Sequence, residues 1–142
     1  MNKPIYVAVK DVMSDPPRTI DGLAPVSEAI NAMREHNVSS LVIDRRHVGD
    51  EWGLLVVHDI AAKVIGLDRS PERVSVHEVM SKPVVTVDAA MDIRYAIRLL
   101  TRFGLSRSLV TEADELIGVV TLRDMVFRFT DAEAAGGRGK AE

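Results

Sequence analysis

Four residues recur in the same order at one fixed spacing: Met13, Pro16, Thr19 and Asp21 return as Met80, Pro83, Thr86 and Asp88, each 67 positions later. The spacing persists beyond this connector. Val26, Ala29, Ile30 and Met33 fall at i, i+3, i+4 and i+7, one apolar helix stripe, and Ile93, Ala96, Ile97 and Leu100 answer them; Leu105-Ser106 likewise answers Val38-Ser39. A chain of 142 residues built this way is two copies of a unit of about 60 residues. Units that small bury too little apolar surface to stand apart, so the copies must fold as one cooperative pair.

Each copy reads as strand, helix, strand, strand, helix. In the first, Pro16 and Pro17 impose extended backbone and remove donors, so residues 11–21 form a strand-like connector and no helix. Pro25 suits a first helical turn, and Asn37 ends that helix. Val38 to Ile43 is a β-branched run, Asp44 to Glu51 a polar turn, and Trp52 to Val57 the return strand of a hairpin. Asp59 stands where a helix N-cap belongs, before Ile60, Ala61, Val64 and Ile65, with Gly66 as the stop. Past the second hairpin the spacing falls to 65, as Asp59 and Asp124 show, so the first hairpin is two residues longer. The second copy closes with a helix from Leu122 to Phe129. Ile5 to Val9 alternates as an edge strand or a packed arm.

The predicted organisation is an arm at 1–8, a first repeat at 9–67, a linker at 68–76, a second repeat at 77–130 and a disordered, glycine-containing tail at 131–142. The fold class is mixed α/β (α+β): two tandem β-α-β-β-α repeats about a pseudo-twofold axis. Hydrophobic residues make up 46% and aromatics 4%, so the core is aliphatic. A net charge of −3 gives no general pull toward nucleic acid or anionic membrane. The chain has no cysteine, which removes disulfides and thiolate metal sites, and it shows neither a signal-peptide pattern nor a membrane-spanning run; a cytoplasmic protein is expected.

The chemistry concentrates in two matching stretches, Gly53-Leu54-Leu55-Val56-Val57-His58-Asp59 and Gly118-Val119-Val120-Thr121-Leu122-Arg123-Asp124. Each turns from a strand into a helix with a carboxylate at the turn, but the position three before the carboxylate is Thr121 in one and Val56 in the other. A carboxylate suits a vicinal diol, and a helix start favours a phosphate through its free amides and dipole. The same Thr121-x-x-Asp124 pattern also fits a capping box that needs no ligand. Gly53 and Gly118 read as ordinary turn glycines.

Other residues carry less. His36, His47, His58 and His77 lack metal-ligand spacing, Arg45-Arg46-His47 reads as a solvated hairpin tip, and the methionines Met13, Met33, Met80, Met91 and Met125 read as aliphatic filling. No nucleophile elbow, acid–base pair or Gly-x-x-x-x-Gly-Lys loop is present, so an enzyme is not expected.

In order and duplication, Val12-Met13-Ser14 with Val79-Met80-Ser81, Val38-Ser39-Ser40-Leu41-Val42-Ile43 with Leu105-Ser106-Arg107-Ser108-Leu109-Val110, and the two glycine-to-aspartate stretches resemble a tandem pair of cystathionine β-synthase (CBS) domains, or Bateman module. The resemblance covers roughly residues 9–130. It implies a non-catalytic regulatory sensor of an adenosine ligand (AMP, ADP, ATP or S-adenosylmethionine) bound between the repeats, with no required cofactor or metal. It also implies a homodimer that signals to an unknown effector in trans. Carried over, the main site takes Asp124 for the ribose hydroxyls, Thr121 for ribose or phosphate, Met13, Ser14, Pro17, Arg18, Val38, Ser39 and Ser40 for the rest of the pocket, and Arg107 and Arg123 for phosphate. The second site takes Asp59 with Val85, Thr86, Leu105 and Ser106; it is expected to be weaker or empty, since Val56 can donate no hydrogen bond. A ligand-free dimerisation scaffold is the alternative.

Overall fold

The computed structural model describes residues 5–47, 49–82 and 85–141, with side chains through Ala134. Expectations that touch residues 1–4, Val48, Pro83, Val84 and Glu142 lie outside the described residues. The chain divides into a middle unit, Pro17–Val84, and a split unit made of Met1–Pro16 and Val85–Glu142.

The middle unit holds β1 (Thr19–Ile20), α1 (Val26–His36), β2 (Ser40–Ile43), β3 (Gly53–Val56), α2 (Val57–Lys63) and the one-turn α3 (Val76–Val79). Its sheet runs β1-β2-β3, with β1 parallel to β2 and β3 antiparallel, in a register that pairs Ser40 with Val56 and Ile43 with Gly53. Helix α1 ends as expected, on Asn37 in the left-handed conformation at φ 51°. Its apolar stripe, Val26, Ala29 and Met33, buries against Leu41, Ile43 and Leu55 of the sheet and Ile60 and Val64 after it. Val74, Val76 and Val79, from the chain leading toward the second repeat, complete this core.

The split unit holds β4 (Thr86–Asp88), α4 (Ile93–Arg102), β5 (Arg107–Glu112), β6 (Glu115–Thr121) and α5 (Leu122–Ala141). The sheet order is β4-β5-β6, again with one parallel and one antiparallel pairing. Ile93, Ala96 and Leu100 pack on Val110, Val120 and Met125, and Val7 and Val9 from the N-terminal segment fill the same core. The Asp92 carboxylate caps α4 through the Arg94 amide at 3.0 Å. Hydrogen bonding by the Arg94 guanidinium holds that carboxyl below its ordinary range, against the opposing effect of burial.

The mixed α/β class and the two repeats are as the sequence indicates, but local expectations shift. Residues 5–9 are a packed arm, joined to the unit through the Ala8–Asp92 bridge and by the Tyr6 hydroxyl donating to the Ala90 carbonyl. A short 3-10 turn at Val9–Asp11 opens the first connector, where no helix was expected. The second connector contains α3, closed by a capping box in which the Ser75 amide donates to Glu78 Oε2 at 2.7 Å. Asp59 is not the N-cap of α2: pairing of β3 runs through Val56, so that residue caps and Asp59 falls in the first turn. Helix α5 continues to Ala141, past Phe129 and through the tail expected to be disordered. No proline interrupts it there, and Ala132, Glu133, Ala134 and Ala135 are strong helix formers.

The compact units do not coincide with the sequence repeats. The connector that opens the first repeat packs in the split unit, where Ser14 and Val119 exchange backbone hydrogen bonds at 2.8 and 3.1 Å. The connector that opens the second repeat packs in the middle unit, where Ser81 and Leu54 do the same at 2.9 and 2.8 Å. Glycine makes both approaches possible. A Cβ on Gly118 would meet Met13 Sδ and the Ser14 carbonyl oxygen, each at 2.7 Å, and a Cβ on Gly53 would run into Met80 Sδ. These are close-approach glycines, not the turn glycines that the sequence suggested.

The two clashes differ in kind, since Met80 can swing aside whereas the Ser14 carbonyl belongs to the paired backbone. Gly118→Ala should therefore cost on the order of 1–3 kcal/mol, and more than Gly53→Ala. Urea unfolding of the two variants checks this; an equal or larger loss for Gly53→Ala would contradict it.

Candidate functional site

The last pair in the β5–β6 register is Arg107 opposite Thr121, and α5 begins at the next residue. Strand therefore passes into helix with no intervening loop. Leu122 donates its amide to the Ser106 carbonyl at 2.9 Å, which anchors the start of the helix to the strand before β5 proper. Thr121 Oγ1 accepts the Asp124 amide at 3.1 Å, so the hydroxyl serves as a helix cap. Half of a capping box is thus in place.

Asp124 sits half-buried in the first turn beside Arg107. Burial lowers the pKa of the half-buried Arg107 guanidinium, and the Asp124 charge opposes that effect. Ser14 lies along the same strand, bridged to Val119 two residues before Thr121, and Met13 packs in the core beneath. The split unit therefore gathers six of the eleven residues expected at the main site: Met13, Ser14, Arg107, Thr121, Arg123 and Asp124. Arg123 is exposed, with its guanidinium 4.8 Å from the Phe127 ring centroid.

Pro17, Arg18, Val38, Ser39 and Ser40 belong to the middle unit. There the Arg18 carbonyl accepts the Val42 amide at 2.8 Å, Val38 closes α1 by donating to Met33, and the Ser39 carbonyl anchors α2 by accepting the Val57 amide at 3.1 Å. Of the second-site residues, Asp59 lies in the middle unit, and Val85, Thr86, Leu105 and Ser106 lie in the split unit. The Val85 carbonyl accepts the buried Ser108 hydroxyl at 3.0 Å, a tie between connector and strand that the sequence reading passed over. Thr86 is exposed in β4, opposite Leu109.

The two aspartates are in different states. Asp59 is paired with Lys63, one turn on, at 3.6 Å, and Val56 supplies no hydroxyl to its turn. The corresponding cation after Asp124, Arg128, instead donates to the Asp11 carbonyl at 3.3 Å. Asp59-x-x-x-Lys63 and Asp124-x-x-x-Arg128 both read from sequence as i,i+4 pairs, so this difference belongs to the structure and not to the sequence. Among the described residues no group of three or more His, Asp or Glu could hold a metal ion, and no helix is long and apolar enough to cross a membrane.

A duplicated strand-to-helix turn carrying an acid, with each repeat's Val-Met-Ser connector packed on the other repeat's sheet, defines a class of tandem domain pairs with exchanged connectors. The CBS domain family matches residues 9–66 and 76–131, and the chain belongs to that family. An uncharacterized protein of Methanopyrus kandleri is 31% identical over 121 residues, which are 84% of this chain and 59% of that protein's length. The hexameric CBS-CP12 protein from bloom-forming cyanobacteria has a similar structure, with TM-score 0.81, 27% identity, and coverage of 95% of this chain and 84% of that one. A CBS domain pair in complex with 5′-methylthioadenosine and S-adenosyl-L-methionine shares the fold at TM-score 0.75 and 23% identity, over 89% of this chain and 98% of that one.

Because Thr121 caps α5, Thr121→Val should lower stability of the ligand-free protein by about 1 kcal/mol through loss of the acceptor for the Asp124 amide. Thermal or urea unfolding measures it. An unchanged midpoint would mean that the hydroxyl has no capping role.

Proposed function

We propose that this chain is a non-catalytic regulatory module, in a reducing cytoplasmic setting, that senses an adenosine-containing ligand of the AMP, ADP, ATP or S-adenosylmethionine kind. In this reading Asp124 binds the ribose diol, with Thr121 and Ser14 beside it, and Arg107 meets the phosphate or other polar tail. The proposal extends to Pro17, Arg18, Val38, Ser39 and Ser40, which the resemblance assigns to the adenine side of the same ligand. Its carrying observation is the state of the two acids: Asp124 lies beside a half-buried arginine and next to a hydroxyl, whereas Asp59 is paired with Lys63 and follows a valine. Lys63 is about half-exposed and stands 3.6 Å from Asp59, so it weakens the second site without closing it. The missing hydroxyl at Val56 adds to that deficit.

The ligand-free scaffold is the second reading, favoured by the fact that the Thr121 hydroxyl is already committed to the helix. A ligand at about 100 times its dissociation constant stabilises a protein by roughly 2.7 kcal/mol. A thermal-shift panel of AMP, ADP, ATP, NAD and S-adenosylmethionine should raise the melting point for at least one member, with the shift lost in Asp124→Ala and kept in Asp59→Ala. No shift at millimolar concentration would give the scaffold reading the field.

The output we propose is a change in homodimer geometry read by an effector in trans. An apolar groove of about 550 Å³ in the middle unit supports self-association: α1 contributes Ile30 and Met33, α2 contributes Val57, Ile60 and Ala61, and Ile65 follows. Val57 and Ile65 are 51% and 55% exposed, unusual for aliphatic residues with so many apolar neighbours. Light scattering should give a dimer mass for the protein, and Ile65→Glu should shift it toward monomer; a monomeric wild type would end this part of the proposal.

A further inference from the structure

The two connectors end differently. Each runs antiparallel to the strand it bridges, so the residue after the bridging serine heads toward the hairpin end of that strand. In the middle unit this residue is Lys82, whose Nζ donates to Asp50 Oδ1 at 2.7 Å and to the Glu51 carbonyl at 3.4 Å. The other carboxylate oxygen, Oδ2, accepts the Arg46 amide at 3.0 Å, and the Asp50 amide donates to the His47 carbonyl at 3.1 Å. Asp50 is therefore positioned by its own turn, independently of the lysine. The lysine in return holds its carboxyl well below the usual carboxylate range.

The split unit has the opposite chemistry at the matching positions. The residue after Ser14 is Asp15, 67 positions before Lys82, and the counterpart of Asp50 is Glu115, 65 positions on. Both are exposed carboxylates, and neither is in an ion pair among the described residues. Glu115 stands opposite Glu112 in the β5–β6 register, with Asp114 in the turn between them. This hairpin end thus offers Asp15 further acids and no cation.

We propose that the Lys82–Asp50 pair is a latch that fastens the second connector to its sheet, and that the first connector, with two carboxylates in the same places, is the one left free to open. The methionine over the glycine and the paired backbone hold both connectors; the latch adds a third tie on one side only. An ion pair on a partly exposed lysine is a small increment, of the size that shifts a local opening equilibrium while the global fold stays intact. The looser connector carries Ser14 and leads into Pro17 and Arg18. That a ligand closes it rests on the adenosine-sensing reading above, whereas the latch itself does not.

Amide hydrogen exchange reads the two connectors separately, because the Ser14 and Val119 amides are committed to one bridge and the Ser81 and Leu54 amides to the other. In the full-length protein without ligand, protection corrected for sequence should be lower at Ser14 and Val119 than at Ser81 and Leu54. Lys82→Met, which keeps the aliphatic stem, should lower protection at Ser81 and Leu54 about two- to fivefold, the factor expected for one exposed ion pair, and leave Ser14 and Val119 unchanged. Glu115→Lys, which supplies the missing cation, should raise protection at Ser14 and Val119 by a similar factor. The latch is overturned if Lys82→Met leaves Ser81 and Leu54 as protected as before, or lowers all four amides equally. The difference between the connectors is overturned if Ser14 and Val119 are the better protected pair in the wild type, or if Glu115→Lys leaves them unchanged. No nucleotide is added, so failure here is distinct from failure of the thermal-shift panel.

Discussion

Each sheet is completed by a connector from the other repeat, and the contact that seats it is a methionine laid over a glycine. Met13 over Gly118 and Met80 over Gly53 bring two backbones close enough for the Ser14–Val119 and Ser81–Leu54 bridges to form. Without that approach the outer edges of β6 and β3 would keep unpaired amides and carbonyls, an exposure that folded proteins avoid. The cores depend on it as well, since Val7 and Val9 enter one and Val74, Val76 and Val79 the other from chain beyond the repeat that builds the sheet. Neither repeat encloses its own core, which is the physical content of the expectation that halves this small cannot stand apart.

This exchange explains what was legible in the sequence and what was not. The duplication, the helix stripes and the hairpins are local patterns, and the offset from Met13 to Met80 exposed them directly. Asn37 ending α1 is equally local. The role of Gly53 and Gly118 was hidden, because the atoms that exclude a side chain there come from residues about a hundred positions away in one case and about thirty in the other. The misplacement of Asp59 as an N-cap has a similar origin. Sequence shows an acid before an apolar helix stripe, but the strand pairing that carries β3 through Val56 is a tertiary fact.

The candidate site shows the same division. The contrast between Thr121 and Val56 was visible in two aligned stretches, and the cap that Thr121 makes is the local consequence of its position. Arg107 beside Asp124 was only half legible: the register that sets Arg107 opposite Thr121 is a pairing between strands, and its energetics depend on burial that no motif records. Lys63 was available to the i,i+4 rule, yet its effect is seen only when set against Arg128, which turns to Asp11 instead.

The asymmetry between the units follows from where the two copies have been free to diverge. Residues that seat the exchanged connectors are nearly the same in both, because a change at Met13, Gly118, Met80 or Gly53 disturbs the edge of a sheet. Residues at the helix-entry turns and hairpin tips carry no such constraint. Val56 stands where the second copy has the Thr121 hydroxyl, and α2 is anchored instead by the Val57 amide donating to the Ser39 carbonyl. The first hairpin is longer and carries two arginines and a tryptophan, whereas the second is a tight acidic turn. The chain also passes between the units next to the proposed ligand contacts, after Ser14 and before Arg18, and again just before Val85 and Thr86.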